Sequence, residues 1–415
     1  MFNHTVLLIM QSNCRNAKLE PYAQELDLNP NFDQESHFAR PLAKIFKNII
    51  QFDIGEAYCE YGVIQANEMI IDIVKEHKPK YVIWPTMTYE ILEETFQKVR
   101  KLNSYVILWF FDDECRFDDY SRWWIPYIDY IFTVDKTSIE RYNQLGAKAY
   151  HLLVTGNPDD YKPLDLNTSY EVSFIGTRRI ADRDNLVKQL LKDGVQISTF
   201  GSGWDNGFVS NEEMAEIFNS SKINICFTKS YLGEGRNQLK GKIFDITMCG
   251  GFLLCEYVDG IEEFFEIGKE IVCYRAYSEA LEKINYFLIN DEERIRVAEA
   301  GKIRAIEALA QHKLFENIFR SLEIDIDSNT NRVFPFTMVQ QMPRQIQMAH
   351  AQYHLRWGNV LKKIGVEKKY WQDEFNLAYQ YVSRIDRMRL KHRKITLIVS
   401  KMRIILKRII NLNRI

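Results

Sequence analysis

The chain has 415 residues, which suggests two or three domains at about 150 residues each, and its 46% hydrophobic content excludes a disordered protein. The formal net charge of −2 is small only because two regions of opposite sign cancel. Residues 384–415 carry eleven basic side chains against one acid, so the residues before them carry a net charge of −12. Such an asymmetry predicts a basic tail with a function of its own.

Seven cysteines are scattered along the chain without the paired spacing of zinc ligands or of a disulfide framework. We expect them to be free thiols in a reducing compartment. The first residues lack the basic stretch of a secretory leader, and no run reaches the roughly 18 apolar residues of a membrane-spanning helix. These features predict a cytoplasmic protein.

Through the first 160 residues, short apolar runs alternate with helix-length amphipathic segments, which is the pattern of an α/β, doubly wound parallel sheet. The predicted strands are 6–10, 49–53, 81–84, 105–110 and 130–134. Two prolines and a glycine in 155–163 interrupt the pattern and predict an interdomain linker. Residues 1–160 are therefore expected to form a first Rossmann-like domain.

The pattern restarts beyond the linker and predicts a second Rossmann-like domain over 165–325. Its expected strands are 171–175, 195–200, 223–227, 251–255 and 271–274, and a long helical segment is expected over 291–322. Two such domains in tandem form a cleft between the carboxyl ends of their strands. Residues 336–415 show only helical periods and predict a helical extension.

Three consecutive acids follow the predicted strand 105–110. At the carboxyl end of a strand they would face the cleft, where a carboxylate could act as a general base or bind hydroxyls, and Asp112, followed by Asp113, is the candidate catalytic residue. Two alternatives remain: these acids cap a helix, or Asp112–Glu114 binds a divalent metal against a diphosphate.

Two glycine turns of the second domain are candidate phosphate- and nucleotide-binding sites. Gly176 and Thr177 lie between a strand and a helix, where backbone N–H groups and Arg178 or Arg179 could approach phosphate, and Gly201 follows the next strand. Ordinary turns between strand and helix are the alternative.

The most informative stretch is 233–256. A glycine-rich loop leads into a predicted helix with Asn237 as its N-cap, and Arg236, Lys240 and Lys242 would surround phosphate oxygens at the helix start. Lys242 and Asp245 are three residues apart and share a helix face, so a surface ion pair is the alternative reading.

This stretch resembles a signature of the two-domain, group 1-type glycosyltransferases that include the spore-maturation protein CgeB. The matching residues are Lys240, Lys242, Phe244, Asp245, Cys249, Gly250, Gly251, Glu256 and Tyr257. The resemblance is strongest over 170–310 and implies a GT-B fold, with Asp245 on the ribose of a nucleotide sugar, the basic residues on the diphosphate and Glu256 in the donor site. Asp245 stands where the family pattern has Glu, and Lys242 where it has Arg, so the charges are kept but the contacts change.

The basic tail has one broad apolar helical face flanked by cations. This is the pattern of a helix lying on an anionic membrane surface, and the candidate membrane-binding residues are Lys394, Lys401, Arg403, Lys407 and Arg408. Docking onto the acidic body or dimerisation are alternatives, whereas nucleic-acid binding lacks a stacking platform and is not expected. His350 and His354 have the spacing of zinc ligands on a helix, but no third ligand is evident, so no metal site is predicted.

The sequence thus predicts a metal-independent glycosyltransferase that moves a sugar from a nucleotide-diphosphate sugar to an acceptor hydroxyl. The first domain is expected to bind the acceptor glycan or glycolipid and the second the donor, without a further cofactor. Cell-surface polysaccharide or glycolipid synthesis, at the cytoplasmic side of a membrane, suits the basic tail. A non-catalytic scaffold of the same fold and a metal-dependent transferase are the alternatives.

Overall fold

The computed structural model describes residues 1–11, 18–22, 25–26, 34–86, 88–178, 182–229, 237–328 and 342–382. The first domain is built on a six-stranded sheet in which every pair of neighbouring strands is parallel, in the order β2-β1-β3-β4-β5-β6. Its strands are β1 Phe2–Met10, β2 Phe46–Asp53, β3 Tyr81–Pro85, β4 Tyr105–Phe110, β5 Tyr130–Thr133 and β6 Lys148–His151. Its helices are α1 Arg40–Ala43, α2 Ile54–His77, α3 Glu93–Lys101, α4 Asp113–Arg116 and α5 Ser138–Gln144, with a π-helical turn at Glu35–Ala39.

The second domain contains a five-stranded parallel sheet in the order β11-β10-β9-β7-β8. Its strands are β7 Tyr170–Ile175, β8 Ile197–Phe200, β9 Ser221–Cys226, β10 Leu253–Glu256 and β11 Val272–Tyr274. Its helices are α6 Arg183–Lys192, α7 Asn211–Asn219, α8 Gly241–Met248, α9 Tyr277–Ile289 and α10 Asp291–Ala308. The predicted fold class, with two Rossmann-like parallel sheets, is confirmed.

The apolar runs of the sequence form strands because helices cover both faces of each sheet. In β1, the side chains of Val6, Leu7, Leu8 and Ile9 are all completely buried, as expected for a central parallel strand. Strand β6 was not predicted, since its sequence is short and begins with an exposed lysine at the sheet edge.

The long helical segment expected over 291–322 is two helices, because α10 ends at Ala308 and α11 runs over Gln311–Ser328. Helix α11 returns to the first domain, where Phe319 packs on Phe46 with ring centroids 4.8 Å apart. The chain therefore crosses between the domains twice, although α11 was predicted as part of the second.

The described part of the extension is a hairpin of α12 Arg344–Lys363 and α13 Lys368–Gln380, which packs against α2 of the first domain. Trp357 is buried and lies 5.0 Å from the ring of Tyr58. His354 Nδ1 lies 2.7 Å from a carboxylate oxygen of Glu374, and both side chains are buried. This histidine therefore joins the two helices of the hairpin. The tail residues from 383 onward, including Lys394, Lys401, Arg403, Lys407 and Arg408, lie outside the described residues.

The two crossings are hydrogen-bonded to each other through Gln311, whose side chain is completely buried. Its Oε1 accepts from the backbone N–H of Thr155 at 2.6 Å, its Nε2 donates to the Leu153 carbonyl at 3.3 Å, and its own N–H donates to the Gly156 carbonyl at 3.1 Å. The chain from 153 to 161, which includes most of the predicted linker, is called the strap. Its first residues are buried and hydrogen-bonded and do not form a loose connection.

Gln311→Ala should lower the free energy of unfolding by about 2–4 kcal/mol, because it leaves the Thr155 N–H and the Leu153 carbonyl buried without a partner. Urea denaturation measures the change. Gln189→Ala, at an exposed position of α6, is the matched control and should change stability by less than about 0.5 kcal/mol. Equal midpoints for the two variants would contradict the role assigned to Gln311.

Candidate functional site

A cleft of about 480 Å³ opens where strands β7, β8 and β9 end. The start of α8 forms one wall. The opposite side is closed by His37 of the first domain and by Val154 and Tyr161 of the strap. Ligands of open α/β sheets bind at this edge, outside the carboxyl ends of the strands. Six of the predicted donor-site residues line the cleft: Gly176, Thr177, Gly201, Lys240, Lys242 and Asp245.

Two glycines let the ends of β7 and β8 approach each other. Gly201 has a φ of 108°, and a Cβ at this position would lie 2.7 Å from the Gly176 carbonyl oxygen. That oxygen accepts a hydrogen bond from Trp204 Nε1 at 2.8 Å. The turn is therefore fixed by close backbone packing, with Thr177 beside it on the cleft surface.

Asp245 is the most unusual side chain of the cleft. It is only 5% exposed, and its Oδ1 has no hydrogen-bond partner among the described residues. Burial raises the pKa of Asp245 to about 7, while the nearby Lys242 ammonium acts to lower it and Asp160 to raise it. A buried, unpaired carboxylate oxygen that faces a cleft is a candidate acceptor for ligand hydroxyls.

The strap leaves just enough room for this carboxylate. A Cβ on Gly156 would lie 2.7 Å from Asp245 Oδ1 and 2.8 Å from the sulfur of Met248. Arg40 of the first domain holds the same strap by donating to both carboxylate oxygens of Asp160, at 2.8 and 2.7 Å. The position of Asp245 relative to the first domain is therefore set by packing on both sides.

Cations line the cleft around this acid. Burial lowers the pKa of the Lys240 ammonium, and it also lowers that of Arg183, which remains charged at neutral pH. Arg183 donates to the Thr177 carbonyl at 3.1 Å, but its Nε has no hydrogen-bond partner in the described part of the chain. Buried cations of this kind are suited to an anionic ligand. Arg236 lies outside the described residues.

Arg183 was missed by the sequence reasoning, which considered Arg178 and Arg179 in the same turn. Arg178 instead donates to Asp184 at 2.7 Å and lies over the Trp204 ring, and Arg179 lies outside the described residues. The one available signal was that Arg183 is the first residue of helix α6, which follows the glycine turn in the chain.

The acids after β4 have different environments. Asp112 lies near Lys240 and Gln238, and burial raises its pKa. Asp113 is completely buried and accepts a hydrogen bond from Tyr142 at 2.7 Å, inside the first domain and away from the cleft. Burial raises the pKa of Glu114 to about 7, with Asp112 adding to the effect and Lys240 opposing it. The structure thus brings Asp112 and Glu114, but not Asp113, toward the cations of the second domain.

Two sequence expectations are placed differently by the structure. Glu256 does not line the cleft, because its Oε2 accepts from the Thr228 backbone N–H at 2.9 Å beneath it. The Asn237 N-cap prediction is wrong: α8 begins at Gly241 with Lys240 as its N-cap, and Asn237 donates to the Tyr257 carbonyl at 2.7 Å. The first turn of α8 therefore faces the cleft without a side-chain cap.

Asp245→Asn should make the folded protein more stable at neutral and alkaline pH. Because burial raises the pKa from 3.8 to about 7, the folded state holds a proton that the unfolded state loses. The wild type is therefore destabilised progressively as pH rises from about 4 to 7. Urea denaturation at pH 8 should show a gain for the variant on the order of 2–4 kcal/mol, which shrinks toward pH 4. Asp205→Asn, at an exposed position, should show no pH-dependent difference, and a stability loss for Asp245→Asn at pH 8 would contradict this account.

Residues 178–319 match the model of a family described as glycosyl transferase-like. No curated protein sequence matches the chain. Among solved structures, HepE of Anabaena in complex with UDP and glucose aligns with a TM-score of 0.50 and 10% identity, over 77% of this chain and 100% of that chain. Sucrose-phosphate synthase of Thermosynechococcus elongatus aligns with a TM-score of 0.50 and 9% identity, over 78% and 100%.

These similarities establish the fold as the two-domain GT-B fold and leave the CgeB-like relationship open. None of the helices in the described ranges has the length and apolar character needed to cross a membrane. The glycosyl transferase-like match covers the cleft wall formed by α8 and much of the second sheet. Together, the family match and the fold support sugar transfer as the activity of this chain.

Proposed function

We propose that the protein transfers a glycosyl group from a nucleoside diphosphate sugar, held in the cleft at β7, β8 and β9, to an acceptor hydroxyl. The observation that carries the proposal is the unpaired Oδ1 of buried Asp245 in a cleft lined by Lys240, Lys242 and Arg183. A nucleoside diphosphate offers both complements: ribose hydroxyls donate to the carboxylate, and phosphate oxygens accept from the cations.

The glycine turns suit the remaining part of the donor. Gly201 and Ser202 line the end of the cleft next to Phe208 and Met214, where an aromatic and a flexible apolar side chain can pack on a nucleobase. HepE was solved with UDP and with UDP-glucose, so a uridine diphosphate is the first donor to test.

In the reaction, the bond between the anomeric carbon and the diphosphate oxygen breaks, and its electron pair leaves with the diphosphate. Lys240, Lys242 and Arg183 stabilise the charge that develops there. The acceptor oxygen forms the new bond to the anomeric carbon, and we assign its proton to the carboxylate of Asp112, which lies close to Lys240.

We further propose that the chain is a divergent member of the CgeB-type group. The Cys-Gly-Gly turn of that pattern has a packing requirement here, since Gly250 has a φ of 75° and a Cβ on Gly251 would lie 2.9 Å from the Phe218 carbonyl oxygen. This turn ends α8 and starts β10, so it fixes the helix that carries Asp245.

Titration calorimetry with UDP, GDP and CDP, followed by a donor-hydrolysis screen of the matching nucleotide sugars, tests the proposal. Lys242→Ala should weaken the preferred diphosphate by about 1–3 kcal/mol, because it removes one charged hydrogen bond. Lys192→Ala, at an exposed position at the end of α6, should leave affinity unchanged. A folded protein that binds none of the three diphosphates would refute transferase activity and favour the scaffold alternative.

Loss of turnover in EDTA would favour the metal-dependent alternative, whereas we expect little change because the lysines and Arg183 supply the positive charge.

We also propose that the basic tail brings the enzyme to anionic lipid at the cytoplasmic face of a membrane, for polysaccharide or glycolipid synthesis. The charge of +10 over 384–415 supports this placement. The six described cysteines form no disulfide with one another, as suits a reducing compartment.

Flotation with liposomes that contain an anionic phospholipid should recover the full chain and not a chain that ends at residue 383. Adding salt should release the full chain, because each basic residue near the surface contributes about 1 kcal/mol by electrostatic attraction. Equal flotation of the two chains would contradict the membrane role of the tail.

A further inference from the structure

Three cysteines lie side by side across the sheet of the second domain. Cys255 in β10 is in register with Cys226 in β9 on one side and with Cys273 in β11 on the other. All three side chains pack into the same core cluster, on one face of the sheet. Neighbouring strands lie about 4.8 Å apart, so each pair of neighbours falls within the Cα separation of about 4.4–6.8 Å that a disulfide spans.

Cys226 differs from its two neighbours because it lines the cleft at β7, β8 and β9. It is the last residue of β9, and among the six described cysteines it is the one in the cleft wall. Cys255 is completely buried one strand farther along the sheet. A reagent small enough to enter the cleft therefore reaches the sulfur of Cys226 first.

The surroundings of Cys226 favour the thiolate, which is the nucleophilic form of cysteine. A hydrogen bond from the Cys255 thiol lowers the pKa of Cys226, and burial opposes this effect. The positive charges of Lys242, Arg183 and Lys240 lower the pKa further. These three cations line the same cleft, so the sulfur lies in the electropositive, accessible kind of environment in which reactive cysteines are found.

The other two sulfurs of the row keep their protons. Burial raises the pKa of Cys255, and the hydrogen bond to Cys226 raises it further. Cys255 Sγ also lies 3.2 Å from the Glu256 carbonyl oxygen, so its proton has two acceptors within reach. Burial raises the pKa of Cys273 to about 12. A nucleophilic sulfur in the cleft thus has a protonated thiol in contact behind it, which is the arrangement of an oxidisable cysteine and its resolving partner.

We propose that Cys226 is a covalent modification site, at which hydrogen peroxide oxidises the sulfur and Cys255 resolves the product to a disulfide between β9 and β10. The Cys226 sulfur attacks one peroxide oxygen, the O–O bond breaks, and the leaving hydroxide takes up the proton that the thiol released. The product is a sulfenic acid and water.

The second step closes the disulfide. The Cys255 sulfur attacks the sulfur of Cys226, the S–O bond breaks, and the hydroxide leaves as a second water with the proton of Cys255. The two thiols together lose two electrons, and the peroxide is reduced to two molecules of water. In a reducing compartment such a disulfide is transient, because cellular dithiols reduce it again.

Peptide mapping by mass spectrometry tests the pairing. The full chain is treated briefly with hydrogen peroxide, the remaining thiols are blocked with iodoacetamide, and the protein is digested without reductant. We expect a linked peptide that joins Cys226 to Cys255 and is lost after dithiothreitol. A link between Cys255 and Cys273, oxidation spread evenly over the cysteines, or no modification of Cys226 would overturn the proposal.

Serine variants separate the two steps. In Cys255→Ser, dimedone should trap a sulfenic acid on Cys226, because the resolving thiol is gone. Cys273→Ser is the matched control, since it removes the other neighbour of Cys255 in the sheet and should form the same disulfide as the wild type. Loss of the disulfide in Cys273→Ser, in a variant with the circular dichroism spectrum of the wild type, would contradict the assignment of Cys226.

Alkylation rates test the position of the sulfur in the cleft. Iodoacetamide should modify Cys226 about tenfold faster than Cys273, because the thiolate is the reacting form. UDP at about ten times its dissociation constant should slow labelling of Cys226 about tenfold, since only the unliganded fraction reacts. Equal rates for the two cysteines would overturn the proposal.

The protection by UDP rests on the proposed function, whereas the peroxide reaction does not. Unchanged labelling in a protein that calorimetry shows to bind UDP would place Cys226 away from the bound diphosphate and contradict its assignment to the cleft. A protein that binds no UDP but forms the disulfide between Cys226 and Cys255 would refute the proposed function and support the modification site.

Discussion

The chain crosses between the domains twice, and the buried side chain of Gln311 hydrogen-bonds the two crossings to each other. The rest of the structure depends on this constraint. Gln311 hydrogen-bonds the start of α11 to residues 153–156 of the strap. The strap in turn presents Gly156 to the carboxylate of Asp245. The cleft therefore has a rigid wall at Gly156, and Asp245 is held by the interdomain connection as well as by its own helix.

This rigid packing explains how the site tolerates charges that burial disfavours. Asp245 has a raised pKa, and Lys240 and Arg183 have lowered ones, all with burial as the largest cause. Charges left without full partners cost stability in the unliganded protein, and a ligand of complementary charge offsets that cost on binding. The arrangement is typical of sites in which preorganised groups meet a charged substrate.

The fold and the core of the site could be predicted because they follow from local patterns. Alternating apolar runs identified ten of the eleven strands that the described residues form, and the short stretch from Lys240 to Gly251 identified the wall that carries Asp245. Arg183 could not be selected in the same way, since its role depends on which side chains neighbouring elements bring next to it. Likewise, only the tertiary structure shows that α11 belongs with the first domain and that Asp113 faces Tyr142.

The carboxyl ends of β7, β8 and β9 face His37 of the first domain across the cleft, so a nucleotide bound there would meet both domains. A crystal structure of the protein with UDP tests the central claim most directly. The account predicts that the ribose hydroxyls contact Asp245 Oδ1 and that the diphosphate lies between Arg183 and Lys240. UDP bound elsewhere, or bound in the cleft with the Asp245 carboxylate uncontacted, would contradict it.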